Sequence, residues 1–105
     1  MRKVEKEMIQ AIKAGKSRTL GNTRVDVAGD VVAVYLHGNK ICEMGKDAVA
    51  LSLAGWNTLT TKSRVNALCH AFTDSRGVYT SKGVVYGFGE AWPIGVAQWY
   101  TFPRV

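Results

Sequence analysis

The feature that most constrains the fold is a series of short apolar segments between residues 22 and 54, separated by tight turns. The pairs Gly29-Asp30 and Gly38-Asn39 are typical of two-residue hairpin turns, and Gly45-Lys46-Asp47 is a third turn. Between them, β-branched and alternating apolar residues favour strands. The strands are predicted around Val25 and Val27, at Val31–Leu36, at Lys40–Met44 and at Ala48–Leu53. Four consecutive strands joined in this way predict an antiparallel meander.

Two segments have helical periodicity. Residues 2–14 form an amphipathic pattern, and Gly15 is expected to stop the helix. A second helix is predicted up to Phe72, after threonines that can cap its start. Its core stripe consists of Val65, Leu68, Cys69 and Phe72. Arg64 is expected off this stripe.

We therefore expect a single α+β domain over residues 1–105, with helices packed on one face of an antiparallel sheet. Lys16–Asn22 reads as a polar, basic loop, and a further hairpin and a last strand are predicted near the carboxyl terminus. The parts are an amphipathic basic helix at 1–15, the meander at 22–54, the central helix at 59–72 and the C-terminal strands at 77–102.

The positive charge is concentrated at the amino-terminal end. The net charge is +6, and residues 1–24 hold seven basic but only two acidic side chains, whereas the rest of the chain is nearly balanced. Such asymmetry favours attraction to polyanions or to acidic protein surfaces, the alternative being a solvated face with no partner. The basic contact candidates in this segment are Lys3, Lys6, Lys13, Lys16, Arg18 and Arg24.

The usual constellations of a catalytic or metal site are absent from the sequence. Cys42 and Cys69 belong to no CxxC pair and are expected to be reduced core thiols. His37 would pair with Lys40 across a Gly38-Asn39 turn, which does not favour His37 and Cys42 as a catalytic pair. We expect no enzyme activity, no metal and no cofactor.

Two stretches have residue patterns that are more specific than core packing alone would require. The first reads Leu36-His37-Gly38-Asn39-Lys40-Ile41, and the second runs from Gly55 to Leu68. Together they resemble small proteins of tailed bacteriophages in which L-H-G-N-x-I precedes G-W-x-T-x-T-T-x-x-R-x-N-A-L. The resemblance covers about residues 22–70. It implies a viral accessory protein expressed in a bacterial host, and by analogy one that binds host machinery or blocks host defences.

The second stretch has two physical interpretations. Trp56 and the threonine-rich helix start could contact a partner, with hydroxyls, Lys62 and Arg64 near unpaired helix N–H groups. Alternatively, Trp56 covers the core in front of an N-capped helix. The contact candidates in the two stretches are His37, Asn39, Trp56, Asn57, Thr60, Thr61, Lys62 and Arg64.

We expect an inhibitor or adaptor that binds a host protein or nucleoprotein complex. The alternative is direct binding of DNA or RNA through the basic amino-terminal segment with Lys62 and Arg64. No stretch approaches the roughly 20 apolar residues that span a membrane, and Met1–Lys16 lacks the apolar core of a signal peptide. These features favour the cytoplasm of the bacterial host. The amphipathic helix could pack within its own chain or against a second copy, and the small size of the chain favours a homodimer.

Overall fold

The computed structural model describes residues 1–105 and shows an α+β fold of two helices, a six-stranded antiparallel sheet and a separate two-stranded hairpin. The fold class is therefore as expected. In chain order the elements are α1 (Lys3–Ala14), β1 (Arg18–Leu20), β2 (Thr23–Ala28), β3 (Val31–Leu36), β4 (Asn39–Met44), β5 (Ala48–Leu51), α2 (Leu59–Phe72), β6 (Val78–Ser81), β7 (Val84–Gly87) and β8 (Tyr100–Pro103).

The main sheet is larger than the predicted meander. Its strand order is β1-β2-β3-β4-β5-β8, so β3 is internal as expected. The prediction of a loop over Lys16–Asn22 was wrong, because Arg18–Leu20 pairs with Thr23–Val25 as an edge strand. The turn at Gly21-Asn22 makes this short hairpin possible, since Gly21 has a φ of 63°. At the other edge, β8 returns from the carboxyl terminus to pair with β5.

Both helices pack against the sheet and against each other. The inward side chains of α1 are Met8, Ile9, Ala11 and Ile12, all buried. The predicted stripe of α2 is also buried, and α2 adds Ala67 to it. Because α1 contacts β1, β2 and α2, its apolar face is used within the chain, and the amphipathic pattern does not leave that face open for a second copy.

A β-bulge in β4 sets the position of the β3–β4 turn. Tyr35 pairs with Lys40 while Val34 pairs with Cys42, so Ile41 is an extra residue in β4. Both Ile41 and Cys42 are buried, which a regular alternation would not allow. The pairing of Leu36 with Asn39 then leaves His37 and Gly38 as the turn residues.

Candidate functional site

The two particular stretches of the sequence meet in one cavity, here called the motif pocket. It has a volume of about 340 Å³ and lies between the β3–β4 turn and the first turn of α2. Its lining residues are Leu36, His37, Asn39, Ile41, Trp56, Thr58, Thr60 and Thr61. Five of the expected contact residues therefore lie together, although the rest of β4 and all of β5 separate their two segments in the sequence.

His37 is presented by a strained turn. The prediction that Gly38 and Asn39 form the turn was wrong by one residue, so His37 does not pair with Lys40. His37 and Gly38 have φ values of 51° and 79°, as a type I′ hairpin turn requires. The His37 N–H donates to the Asn22 carbonyl at 2.9 Å, which fixes the turn against the β1–β2 hairpin. Positive φ is uncommon for a residue with a side chain, and such conformations concentrate at functional sites.

Trp56 follows a second turn with two positive φ values. Ala54 and Gly55 have φ values of 55° and 88°, and the Trp56 N–H donates to the Leu53 carbonyl at 2.9 Å. Gly55 N–H donates to the Val96 carbonyl at 2.8 Å, which ties this turn to the carboxyl-terminal segment. The Trp56 side chain remains 54% exposed. It therefore forms a wall of the motif pocket instead of a cover over the core.

The start of α2 is set by Thr58. Its hydroxyl oxygen accepts a hydrogen bond from the Thr61 N–H at 3.1 Å, which is the geometry of an N-cap. Thr61 is itself buried, and its hydroxyl lies 2.8 Å from that of Thr58. Among the threonines predicted to make contacts, Thr60 is the more accessible one.

Arg64 is not on the surface, contrary to the expectation that it lies off the core stripe. It is 4% exposed, and its Nη1 lies 2.8 Å from Oε2 of Glu5, which is 3% exposed. The Arg64 Nε donates to the Thr23 hydroxyl at 3.0 Å. This buried pair joins α2 to α1 and β2, and Arg64 is therefore occupied inside the protein.

The carboxylate of Glu5 is held in its charged form. Burial by itself raises the pKa of this group, but hydrogen bonds donated by the Ser63 hydroxyl, the Arg64 guanidinium and the Arg2 N–H outweigh it. The net result is a pKa below the ordinary value of 4.5. The Ser63 hydroxyl donates to Glu5 Oε2 at 2.6 Å, so this oxygen accepts from two side chains.

Asn66 also acts within the fold. Its amide nitrogen donates to the Val78 carbonyl at 2.9 Å, and its amide oxygen accepts from the Val78 N–H at 2.7 Å. These two bonds imitate strand pairing and attach the β6–β7 hairpin to α2. Gly77 lies directly against the Asn66 amide, where a Cβ atom would collide with Oδ1.

The basic residues of the amino-terminal segment do not form one surface. Lys3, Lys6 and Lys13 are exposed on α1, which covers the inner face of the sheet. Arg24 lies on the opposite face, 3.2 Å from Asp26 and 4.4 Å above the Tyr35 ring. The remaining two predicted contacts, Lys16 and Arg18, are exposed, and Arg18 lies 3.8 Å from Glu7.

A second depression, here called the α2 groove, was not predicted. It lies between the start of α1, α2 and β6, with a volume of about 690 Å³. Leu59 and Tyr79 line it and are 79% and 61% exposed. Lys62 crosses the groove and donates to the Thr80 hydroxyl. The sequence feature that could have indicated this groove is Leu59, an apolar residue that is out of phase with the core stripe of its helix.

The exposed predicted contact Asn57 does not line the motif pocket. Two carboxyl-terminal aromatics, Trp92 and Trp99, are also exposed, whereas Tyr100 packs against Phe88 with ring centroids 5.1 Å apart. Trp99 lines a shallow depression on the outer face of the sheet.

Both cysteines are free and buried. Burial raises the pKa of the Cys42 thiol to about 12, so this thiol is not an activated nucleophile at neutral pH. No group of three or more histidine, cysteine or acidic side chains comes together in a way that could hold a metal ion. Neither helix is long and apolar enough to cross a membrane.

These features define a small α+β protein with a polar-rimmed pocket beside its central helix. A family model described as Kyanoviridae Gp96 protein matches residues 1–99. Because the match covers nearly the whole chain, the chain belongs to this family and is a small tailed-phage protein, as the resemblance implied. No curated protein and no solved structure matches it.

Proposed function

We propose that this protein is a non-enzymatic phage accessory protein that binds a host protein or nucleoprotein complex. Its target acts in nucleic-acid handling or in defence, and binding inhibits or redirects that target in the cytoplasm of the infected cell. The observation that carries the proposal is the exposure of Trp56, Leu59 and Tyr79 around the first turn of α2. These large apolar side chains stay exposed to solvent, although other apolar side chains of the same chain are buried in a hydrophobic core.

The arrangement of these three residues suits a protein partner. Tyrosine and tryptophan are the residue types that dominate binding energy at protein interfaces, especially beside pockets that exclude water. Leu59 and Tyr79 share the α2 groove, and Trp56 stands three residues before Leu59 at the edge of the motif pocket. Arg2 and Lys62 at the groove add positive charge, so the complementary surface would be apolar with acidic residues around it.

Direct binding of DNA or RNA is the second candidate function. It is supported by the net charge of +6 and by the exposed lysines of α1. It ranks lower because the predicted basic contacts are divided between two faces of the sheet and two of the arginines face carboxylates. Arg64 would not take part, since its guanidinium is buried against Glu5.

The test is a pull-down from host-cell lysate with affinity-tagged protein, compared between two variants. Leu59→Ser combined with Tyr79→Ser removes the apolar groove surface. Val31→Ser, at an exposed position on the outer face of the sheet, is the matched control. We expect one host protein to be retained by the wild type and the control but lost with the double variant, with nuclease treatment having no effect.

Retention that disappears after nuclease treatment, or that is equal in all three proteins, would contradict protein binding through this surface. Fluorescence anisotropy with duplex DNA, single-stranded DNA and RNA at two salt concentrations tests the second candidate. Binding that weakens steeply with salt would support it, because each neutralised phosphate releases counterions. No binding at low salt would exclude it.

A further inference from the structure

The motif pocket has the size and the lining of a site for one small planar ligand. Its volume of about 340 Å³ falls at the lower end of the roughly 300–1,000 Å³ typical of small-molecule sites. Leu36 and Ile41 are buried and give it an apolar floor. Trp56 forms a wall, and the remaining lining residues carry hydrogen-bonding side chains.

The rim can recognise the edge of a heterocycle. Asn39 carries a donor and an acceptor side by side, the combination with which asparagine pairs with the edge of a nucleobase. Its amide nitrogen makes only a long bond of 3.4 Å to the carbonyl of His37 within its own turn. Thr60 and His37 add further hydrogen-bonding groups, and no carboxylate lines the pocket to repel an attached phosphate.

Backbone hydrogen bonds hold the two turns that carry the pocket walls. The His37-Gly38 and Ala54-Gly55 turns hold positive φ values and are fastened by backbone hydrogen bonds to Asn22 and Val96. A rigid site loses little conformational entropy on binding. Tryptophan is also the kind of surface on which an unpaired base stacks without regard to sequence.

We propose that the motif pocket binds one unstacked nucleobase, held against Trp56 and hydrogen-bonded at its edge by Asn39. The base is supplied either as a free nucleotide or by a single strand that places one base in the pocket. This site goes beyond the proposed capture of a host protein, which rests on Leu59 and Tyr79 of the α2 groove and shares only Trp56 with the motif pocket.

The experiment follows Trp56 fluorescence in a background in which Trp92 and Trp99 are both replaced by phenylalanine, so that Trp56 is the remaining tryptophan of the three. Both replaced residues are exposed, so the fold should tolerate the change. The titrants are AMP, GMP, CMP and UMP, then short single strands of the base that binds best. N-Acetyltyrosinamide represents an aromatic side chain of a protein partner.

We expect saturable quenching by at least one nucleotide. Asn39→Ala should weaken that binding by about tenfold or more, the loss typical of one base-edge contact. Asn57→Ala is the matched control, because Asn57 is exposed next to Trp56 but outside the pocket, and it should bind as the parent does. If Asn39→Ala unfolds, Asn39→Asp keeps the shape, removes the donor and adds a charge that opposes the phosphate.

A single strand that binds much more tightly than its mononucleotide would identify the strand as the source of the base. The proposal is overturned if no nucleotide or strand gives saturable quenching, or if the Asn39 and Asn57 variants bind alike. Binding of N-acetyltyrosinamide alone would also overturn it, and would make the pocket an anchor for a protein side chain. Leu59→Ser with Tyr79→Ser should leave nucleotide binding unchanged, which separates this test from that of host-protein capture.

Discussion

At the scale of single residues, the polar side chains of α2 have two kinds of role. Arg64 and Asn66 are bonded inside the fold, to Glu5 and to the backbone of Val78. Thr60 lines the motif pocket. The sequence alone does not distinguish a polar residue on the surface from a polar residue that is buried. The difference arises here because Glu5 and Arg64, 59 positions apart, meet across the α1–α2 contact.

The Glu5–Arg64 pair provides a first prediction. Arg64→Met should lower the free energy of unfolding by about 3–5 kcal/mol, because it leaves the Glu5 carboxylate buried without its charged partner. Adding Glu5→Met should recover much of the loss, since the charge to be solvated is then gone. Urea denaturation measures both, with Lys6→Met, at an exposed position next to Glu5, as the control. A double variant less stable than Arg64→Met would contradict this account.

The same pair predicts a pH dependence. The folded pKa of Glu5 lies below its ordinary value of 4.5, so the unfolded chain takes up a proton more readily than the folded protein does. The contribution of this carboxylate is therefore complete above the unfolded pKa and is lost as the pH falls through the folded pKa. Between pH 7 and pH 3 the wild type should lose more stability than Glu5→Gln. Equal losses in thermal denaturation at the two pH values would refute it.

At the scale of elements, the β6–β7 hairpin is connected differently from the other strands. Its strands pair only with each other. Asn66 makes two hydrogen bonds that attach it to α2, and Lys62 of α2 adds a third to the Thr80 hydroxyl. The hairpin also contributes Val78 and Val85 to the core. The attachment therefore combines a modest apolar contact, one bidentate amide and the exposed Lys62–Thr80 hydrogen bond, and losing the amide should loosen the hairpin before the rest of the fold.

Asn66→Ala is expected to weaken this attachment by about 2 kcal/mol, from the loss of two hydrogen bonds. Hydrogen exchange should show faster exchange for the Val78 amide and for β6–β7, with the main sheet little changed. Asn57→Ala, an exposed asparagine outside this contact, serves as the control. Uniformly faster exchange over the whole chain would show instead that the hairpin and the sheet open together.

At the scale of the whole molecule, the amino-terminal segment is both a source of charge and a part of the core. Met8 is fully buried and Ile12 nearly so, while the lysines of the same helix face solvent. Truncation of this segment therefore cannot isolate the effect of its charge. Removal of residues 1–16 would also remove Glu5 and leave Arg64 unpaired.

We expect the protein lacking residues 1–16 to show no cooperative thermal unfolding. In contrast, glutamine at Lys3, Lys6, Lys13 and Lys16 should change stability only slightly, about 0.5 kcal/mol or less per site, because these side chains are exposed. Circular dichroism during heating compares the two. The charge-neutralised protein is the correct reagent for testing nucleic-acid binding. A cooperative transition in the truncated protein would show that α1 is dispensable.

The sequence by itself determined the local elements. Apolar periodicity located α1 and α2, and glycine-containing turns located β2 to β5, because these signals depend on residues close together in the chain. It also singled out the two stretches that supply the motif pocket. The fine register of the β3–β4 turn was missed because the bulge at Ile41 serves the core, and turn propensity at Gly38-Asn39 does not report on core packing.

Only the tertiary structure decided which polar residues are inside and which surfaces exist. The burial of Arg64 depends on Glu5, the edge strand β1 depends on the hairpin with β2, and β8 depends on a free edge of β5. Likewise, Asn39 and Trp56 become two sides of one pocket only when the sheet brings the β3–β4 turn to the start of α2. These are long-range pairings, and their free energy comes from packing and hydrogen bonding between segments that are far apart in the sequence. The local sequence of one segment does not indicate which other segment it will contact.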